Sequence, residues 1–359
     1  MPQNTYYMGV GKYFQGEYAL NRIGQEASQL GRRALIIGGE RALGAALPRI
    51  EESLQKADIP YSVEGFHGFC TEKQMRYYQE KLESREADIV IGVGGGKAID
   101  TAKGVSVFSG ARLINVPTNI AQCACYANII IMYEEDGRTC GVMDLNKPID
   151  VVIADSDILA RHSPVRLMAA GIGDSMAKRP EIEFSLKYDP EPPTMLAQVS
   201  YGLAEKTWAL YEKYGRQACE DAENGLVTKA VEDIICANIV LTGICSSLVN
   251  GEKQIAVAHN TYNGMCGVFK EQQKNYLHGE MVSMALPVQM ALNGAETKTI
   301  RSLIDFLGGL GVPMKPSEMD LEPSEENFNY LIKYIAEHVP QMTENLQESL
   351  LNCMREWWR

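Results

Sequence analysis

Basic charge is the first thing this sequence lacks. It has 34 Lys and Arg residues against 46 Asp and Glu, for a formal net charge of -12. Nucleic acids and anionic membrane surfaces select for basic patches, so we expect neither as the main partner. With 45% hydrophobic and 22% charged residues, the composition is that of a globular protein, which excludes disordered and fibrous classes. We therefore expect a soluble protein that acts on a small-molecule substrate.

Long apolar runs and paired cysteines are also missing. We find no window that approaches the roughly 20 apolar residues of a membrane span. The start, MPQNTYYMGVGKYF, lacks the basic segment and apolar stretch of a signal peptide. The nine cysteines are scattered, and Cys123 and Cys125 form C-x-C, not the C-x-x-C of a zinc or redox pair. These features predict a cytoplasmic protein with reduced thiols.

From residue 33, short β-rich runs alternate with helical patterns. The runs are RRALIIGG, IPYSVEGF, DIVIGVGGG and ARLINVPT, and the helical patterns between them lie near 41–57, 71–84 and 97–109. This alternation predicts right-handed βαβ units and a parallel sheet, with ligands beyond the carboxyl ends of the strands. Thr71 to Gln74 fits a capping box, which predicts a helix start there.

The alternation stops near residue 163, and Ala-, Leu- and Met-rich helical patterns continue to the end of the sequence. The patterns therefore predict an α/β domain with a parallel sheet, residues 1–160, and an all-α C-terminal domain, residues 161–359. We find no internal repeat.

The stretch DIVIGVGGGKAIDTAK, residues 88–103, places a glycine cluster between a predicted strand and a predicted helix. It does not match G-x-G-x-x-G, because Lys97 takes the sixth position from Gly92, nor a Walker A loop, because Lys97 is not followed by Ser or Thr. Such a turn can cradle phosphate with backbone N–H groups, or it can simply let a helix pack close to a strand. A second turn at Thr118, predicted at the same sheet edge, favours phosphate binding.

Five ordered motifs resemble one family. GVGGGKAIDTAK, VPT, GIGDSMAK, HNTYNG and LHGEMV occur in the order and at about the spacing of the iron- or zinc-dependent alcohol and polyol dehydrogenases of the glycerol dehydrogenase type. The resemblance covers most of the chain. It implies the iron-containing alcohol dehydrogenase fold, shared with dehydroquinate synthase, in which a Rossmann-like domain and a helical metal-binding domain border a cleft for nicotinamide cofactor and metal.

The resemblance also implies one divalent metal ion, held by Asp174, His259 and His278. One carboxylate and two imidazoles suit Zn²⁺ or Fe²⁺. Related enzymes carry a fourth ligand, His, one turn after the Asp; Lys178 stands there and cannot ligate, so zinc is expected more than iron. Taken singly, each residue has an ordinary alternative: a helix cap for Asp174, a core histidine for His259 and a helix start for His278.

The implied cofactor is NAD, or alternatively NADP. The residues expected to contact or surround it are Gly39, Glu40, Gly94, Gly95, Gly96, Lys97, Asp100, Thr118, Asn119 and Tyr133. The three consecutive glycines are expected to face the pyrophosphate, and Tyr133 to line the nicotinamide pocket unless it is a core or edge-strand tyrosine. The family's ribose-binding Asp is replaced by Gly39. The next residue, Glu40, can still accept hydrogen bonds from ribose hydroxyls and repel a 2′-phosphate, which favours NAD.

Two residues bear on the substrate. Glycerol dehydrogenases carry an Asp in the segment after P-T, and Cys123 replaces it; a thiol is a weak hydrogen-bond partner, so glycerol is disfavoured. P-T followed by this cysteine, together with AGIGDSMAK, resembles the hydroxycarboxylate dehydrogenase branch, which reduces 2-oxo acids. Lys178 is the hypothetical partner of the substrate carboxylate; a salt bridge to Asp174 or to a surface carboxylate is the alternative.

The predicted function is therefore a metal-dependent NAD(P) oxidoreductase that interconverts a small 2-hydroxy acid, polyol or alcohol and its carbonyl form by hydride transfer. Two alternatives remain open. A dehydroquinate synthase-like lyase or cyclase would need a Glu ligand and several basic cleft residues. A catalytically inactive nucleotide-binding homologue would fit the departures at Cys123 and Arg179-Pro180, where Pro180 is expected to kink or break a helix. As in the family, we expect a homo-oligomer.

Overall fold

The structure is a computed structural model that describes residues 9–121, 123–249, 255–321 and 324–358. The chain forms two compact units. The first unit comprises Met1–Pro164 and Glu220–Ser247. The second comprises Val165–Cys219 and Leu248–Arg359.

Among the described residues, the strands all belong to the first unit. In chain order they are β1 (Val10–Gly16), β2 (Ala34–Gly38), β3 (Tyr61–Gly65), β4 (Ile89–Gly94), β5 (Arg112–Pro117), β6 (Ile129–Tyr133), β7 (Thr139–Asp144) and β8 (Ile149–Asp155). Six of them form a parallel sheet in the order β1-β8-β5-β4-β2-β3, and β6 and β7 form an antiparallel hairpin. The strand order reverses between β2 and β4, which is where nucleotides bind in doubly wound sheets.

The helices cover the sheet and build the second unit. In chain order they are α1 (Ile23–Leu30), α2 (Glu40–Lys56), α3 (Glu72–Ser84), α4 (Gly96–Ser109), α5 (Ser156–Arg161), α6 (Val165–Tyr188), α7 (Met195–Glu223), α8 (Lys229–Cys236), α9 (Thr242–Leu248), α10 (Val257–Val268), α11 (Lys270–Asn275), α12 (His278–Asn293), α13 (Thr297–Gly308), α14 (Glu325–His338) and α15 (Glu344–Trp357). A π-helical segment, Ala237–Leu241, joins α8 to α9.

The first unit confirms the predicted fold class. Every residue of β2 and β4 is buried, as expected for strands covered on both faces, and Ile36, Ile91 and Ile114 lie in its core. Thr71 caps α3 as predicted, since its hydroxyl accepts from Gln74 N at 3.2 Å. Only half of the capping box forms, because the Gln74 side chain donates to His67 O at 2.6 Å instead of returning to Thr71.

The boundary predicted at 160/161 differs from the units of the structure, because Glu220–Ser247 belongs to the first unit. Polar side chains attach this segment to that unit. Glu232 accepts hydrogen bonds from Ser156 Oγ, at 2.5 Å, and from the Gln15 side chain, and Asn238 Nδ2 donates to Ile120 O at 2.9 Å. Hydrophobic periodicity shows that this segment is helical, but not which unit it packs against.

One helical stretch among the described residues, Lys229–Leu248, is long and apolar enough to cross a membrane, although no such window was expected from the sequence. Most of the stretch is buried inside the protein. Its Asn238 side chain is fully buried and hydrogen-bonded within the first unit. These are the properties of a core helix.

The second unit is helical and has its own core. Phe184, Met281, Met284 and Leu331 are buried there, together with Trp358 near the C-terminus. Of the kink or break expected at Pro180, the break does not occur, because α6 continues through this residue to Tyr188; the kink stays a prediction. Pro180 is buried, and its carbonyl accepts a hydrogen bond from Asn293 Nδ2 at 2.8 Å, so packing outweighs the local preference of proline.

Candidate active site

Helices α6 and α12 approach each other closely, because each has a glycine where it contacts the other. A Cβ at Gly279 of α12 would overlap the carbonyl oxygen of Ala170 on α6, and a Cβ at Gly173 of α6 would overlap the hydroxyl of Ser283 on α12. The two backbones can therefore lie nearly in contact. This brings Asp174, which follows Gly173, beside His278, the first residue of α12.

All three predicted metal ligands come together in the second unit. Asp174 lies within α6, His259 within α10 and His278 at the start of α12. Asp174 Oδ1 is 3.2 Å from His259 Nε2 and 3.3 Å from His278 Nε2, and one ligand atom from each residue lies within 4.8 Å of the others. Asp174 and His259 are buried, whereas the side chain of His278 is 43% exposed. The site is thus open on the side of His278.

The chemistry of this set fits a bound cation. Asp174 Oδ1 is buried and has no hydrogen-bond partner among the described residues, although two imidazole nitrogens lie beside it. Burial would raise the pKa of Asp174, but His278 and His259 hold it well below its usual range, so the carboxylate is an anion. A buried anionic oxygen facing two imidazole nitrogens is a ligand set for Zn²⁺ or Fe²⁺.

Glu181 orients His259, although no local sequence pattern marks it. Its carboxylate is fully buried, and Oε2 lies 2.5 Å from His259 Nδ1. An ionised carboxylate can only accept, so Nδ1 carries a proton whichever state the ring is in. Nε2 faces Asp174 and is the atom that would lose its proton to bind a cation. The other oxygen, Oε1, accepts from the backbone N–H groups of Ala256 and His259, at 2.8 and 2.9 Å.

The buried start of α10 is held by side chains from two other helices. Its first residues offer no side-chain cap, and Ala256 occupies the cap position. Glu181 from α6 accepts two of the free N–H groups, and Gln289 from α12 accepts those of Val257 and Ala258, at 2.7 and 3.3 Å. The position of His259, in the first turn of α10, is therefore set by α6 and α12.

An ion pair between half-exposed Arg166 and buried Glu280 fixes the start of α12. Glu280, in the H-G-E motif, is 1% exposed and accepts from Arg166 Nε and a terminal nitrogen, at 2.6 and 2.7 Å. Glu280 also accepts from Leu277 N at 2.8 Å. Because bidentate pairs define orientation, the pair ties the first turn of α6 to that of α12 and so positions His278.

Lys178 lies one turn after Asp174 on α6 and is buried. Burial and the charge of Lys178 lower the pKa of His259, whereas Glu181 and Asp174 raise it. The net effect raises the pKa of His259 to about 9. Lys178 is thus close enough to act on His259 through its charge. Its predicted role towards a substrate carboxylate stays a prediction.

In the first unit, the glycine turn meets the residues that follow β5. Gly94 ends β4 with φ 147°, a conformation that favours glycine, and α4 begins at Gly96. Thr118 N donates to Gly94 O at 3.1 Å, and a Cβ at Gly95 would lie 2.6 Å from Asn119 Nδ2. Five of the predicted cofactor residues therefore share one sheet edge, including Gly96 at the N-terminus of α4.

Lys97 and Tyr133 meet on an aromatic surface beside this turn. Lys97 Nζ lies 4.2 Å from the ring centre of Phe69 and 5.7 Å from that of Tyr133. The two rings pack at 5.8 Å, and burial lowers the pKa of Lys97. Gly39 and Glu40 follow β2, the strand next to β4, where Gly39 is the cap residue of α2.

The structure shows side-chain contacts for Asp100 but only backbone contacts for Cys123. Both carboxylate oxygens of Asp100 have partners within the protein, Lys103 Nζ at 2.8 Å and Ile131 N at 3.1 Å. Asp100 was predicted to lie beside the pyrophosphate, but its two carboxylate oxygens already accept hydrogen bonds from within the protein. Cys123 lies in the loop after β5, where its carbonyl accepts from Tyr126 N and Ala127 N, at 2.8 and 2.9 Å. A substrate contact by its thiol stays a prediction.

The chain is similar to known dehydrogenases over most of its length. The profile of iron-containing alcohol dehydrogenases matches residues 11–156. Hydroxycarboxylate dehydrogenase A from Escherichia coli is 28% identical over 305 residues, which is 82% of this chain and 81% of that protein. The crystal structure of a probable glycerol dehydrogenase from Sinorhizobium meliloti matches with a TM-score of 0.83 and 24% identity, covering 98% of this chain and 99% of that one.

A glycerol dehydrogenase from Thermotoga maritima is 30% identical over 318 residues, covering 87% of this chain and 84% of that protein. The match extends far beyond the nucleotide-binding part and includes the segments that carry Asp174, His259 and His278. The chain belongs to the iron-containing alcohol dehydrogenase family, in its glycerol dehydrogenase-like branch.

Proposed function

We propose that this protein is a zinc-dependent oxidoreductase that uses NAD to interconvert a small 2-hydroxy acid and its 2-oxo acid by hydride transfer. The observation that carries the metal-dependent part is the buried Asp174 Oδ1, which lies 3.2 Å from His259 Nε2 and 3.3 Å from His278 Nε2. Relatives named glycerol dehydrogenase and hydroxycarboxylate dehydrogenase support the oxidoreductase class.

The residues of the second unit would hold the cation. Asp174 contributes the anionic oxygen, and Glu181 keeps Nε2 of His259 available as a ligand by accepting the hydrogen bond from Nδ1–H. When bound, a divalent ion acts as a Lewis acid on a substrate oxygen. His278 lies at the exposed side of the set, where a substrate can approach.

Zinc is favoured over iron by the ligand count. Lys178 occupies the position one turn after Asp174, where related alcohol dehydrogenases carry a fourth ligand, and an ammonium cannot ligate. The set is then one carboxylate and two imidazoles with an open position, which is typical of catalytic zinc sites.

Buried Lys178 also favours an anionic substrate. A carboxylate next to the cation would add a second negative charge beside Asp174, and the Lys178 ammonium would offset it. Cys123, in place of an acidic residue, offers little to polyol hydroxyls. The second candidate is glycerol or another polyol, favoured by the 30% identity to the Thermotoga maritima glycerol dehydrogenase.

The remaining assignments are proposals of the same kind. NAD is favoured over NADP because Glu40, the first residue of α2, would repel a 2′-phosphate. A cytoplasmic location rests on the scattered cysteines and the acidic composition. Assembly into a homo-oligomer rests on the family resemblance.

Elemental analysis of the purified protein, followed by a screen of 2-oxo acids, aldehydes and polyols monitored by nicotinamide absorbance, tests the proposal. We expect about one zinc per chain and the highest kcat/KM with a 2-oxo acid. His259→Ala should lose both metal and turnover but retain NADH binding. Higher kcat/KM with a polyol would favour the second candidate. Product formation without net change in nicotinamide absorbance would indicate a lyase, and NADH binding without metal or turnover an inactive homologue.

A further inference from the structure

A buried ion pair on α4 holds the edge of the β6–β7 hairpin. Asp100 and Lys103 lie one turn apart, are 3% and 0% exposed, and are 2.8 Å apart between Oδ1 and Nζ. Both also bind the backbone of β6: Ile131 N donates to Asp100 Oδ2 at 3.1 Å, and Lys103 Nζ donates to Ile129 O at 2.8 Å.

These contacts follow the alternation of a strand. In β6, residues 130 and 132 lie opposite Met143 and Gly141 of β7. Groups of alternate residues, Ile129 O and Ile131 N, point away from β7 towards α4. Tyr133 N continues the series by donating to Cys70 O at 3.0 Å. The ion pair therefore takes the place of a third strand along the outer edge of the hairpin.

Stability alone is a weak reason for such a pair, because the desolvation of two charges offsets most of their attraction. The position of the ion pair in the fold gives a better reason for it. α4 starts at the glycine turn, and β6 ends at Tyr133, whose ring packs against Phe69 beside Lys97. The pair thus links the helix that begins at the nucleotide turn with the strand that presents Tyr133.

We propose that Asp100 and Lys103 are positioning residues that fix the β6–β7 hairpin, and with it Tyr133, relative to the glycine turn, and that Asp100 is not a ligand of the nucleotide. The consequence for nucleotide affinity rests on the proposed function. The positioning of the hairpin does not, because it depends on contacts within the first unit alone.

The test uses Lys103→Met in the full chain, with Lys147→Met as the matched control. Lys147 Nζ also donates to two backbone carbonyls, Ser106 O and Ala111 O, at 3.3 and 2.7 Å, near the other end of α4. Amide hydrogen exchange along β6 and the Kd for NADH are measured. In Lys103→Met we expect exchange in β6 to rise about tenfold or more while β4 keeps its protection, and the Kd to rise about tenfold, since a hydrogen bond to a charged group is lost. Lys147→Met should leave both quantities within about twofold of the wild type.

Should Lys103→Met fail to fold, the double variant Asp100→Asn, Lys103→Met removes the stranded charge and gives the same readout. Unchanged exchange in β6 would overturn the positioning role. An unchanged Kd despite faster exchange would overturn its consequence for the nucleotide. If Asp100→Asn weakened NADH binding while β6 kept its protection, Asp100 would be a direct ligand and the proposal would be wrong. If the wild type bound neither NADH nor NADPH, the proposed function would fail, while the exchange data would still decide on the hairpin.

Discussion

Glu181 Oε2 lies 2.5 Å from His259 Nδ1, and both side chains are buried. Glu181 follows Asp174 on the same helix at a spacing that places both on one face of α6. One helix therefore supplies a metal ligand and also the carboxylate that orients a second ligand on α10. A change at Glu181 should act on the metal through His259.

Replacing Glu181 with Gln should weaken metal binding by about 10- to 100-fold, the range found for lost outer partners of ligating histidines. The Gln amide is neutral and has only one acceptor oxygen, so it cannot replace the three hydrogen bonds that the Glu181 carboxylate accepts. Both the ring of His259 and the start of α10 therefore lose support. Competition with a chelator of known affinity measures the change directly, without reference to turnover.

Glu183→Gln is the matched control. Glu183 lies on the same helix but on another face, is half-buried, and accepts from Asn293 Nδ2 at 3.0 Å. Its loss should leave metal affinity within about twofold, as expected for a site away from the ligands. Equal losses in the two variants would mean that the effect comes from general disturbance of α6 and not from the orientation of His259.

The elements of the first unit were largely predictable from the sequence, because local signals define them. The patterns near 41–57, 71–84 and 97–109 agree with α2, α3 and α4 to within one residue at each end. β1 was missed, since its sequence VGKYFQG alternates poorly and only one side of it pairs in the sheet. The pattern is clearest where a strand is buried on both faces.

The three ligands could be identified only through the family motifs, because side chains far apart in the sequence meet by helix packing. Glu181 and Arg166 escaped prediction for the same reason. Glu181 lies in KRPEIEF, where a carboxylate on a helix is expected to be solvated. Its burial depends on α10 and α12, and no local pattern encodes those partners. Asp100 was in a recognised motif, yet its contacts in the structure are with Lys103 and β6.

Gly279→Ala should separate α6 from α12. The added Cβ would overlap Ala170 O, a backbone atom that cannot rotate away, so we expect a loss of about 1–3 kcal/mol in the free energy of unfolding and weaker metal binding. Gly202→Ala on α7 is the control, because a Cβ there meets nothing within 4 Å. That change should stabilise the protein by up to about 1 kcal/mol. Thermal unfolding and metal titration measure both, and a neutral Gly279→Ala would contradict the close packing.

Lys178→Met should change substrate selectivity. If the ammonium offsets the charge of a substrate carboxylate, kcat/KM for 2-oxo acids should fall by about 10- to 100-fold, while that for neutral aldehydes should stay within a fewfold. Lys187→Met, at the exposed end of α6, where Lys187 Nζ donates to Asn293 O, is the control and should leave both values close to those of the wild type. Parallel loss with acids and aldehydes would show that Lys178 supports the site without selecting the substrate.

Gly39→Asp should increase discrimination against NADP. Gly39 has φ -69°, which any residue can adopt, and the nearest atom to an added Cβ is Phe66 O at 3.9 Å, so a side chain fits there. A carboxylate at the end of β2 would repel the 2′-phosphate, and we expect the KM for NADP to rise at least about tenfold with little change for NAD. Gly39→Asn has the same size without the charge and should change neither KM by more than about twofold. If Gly39→Asn raised the KM for NADP as much as Gly39→Asp, the cause would be the size of the side chain and not its charge. That result would contradict the electrostatic argument that places the ribose beside Gly39 and Glu40.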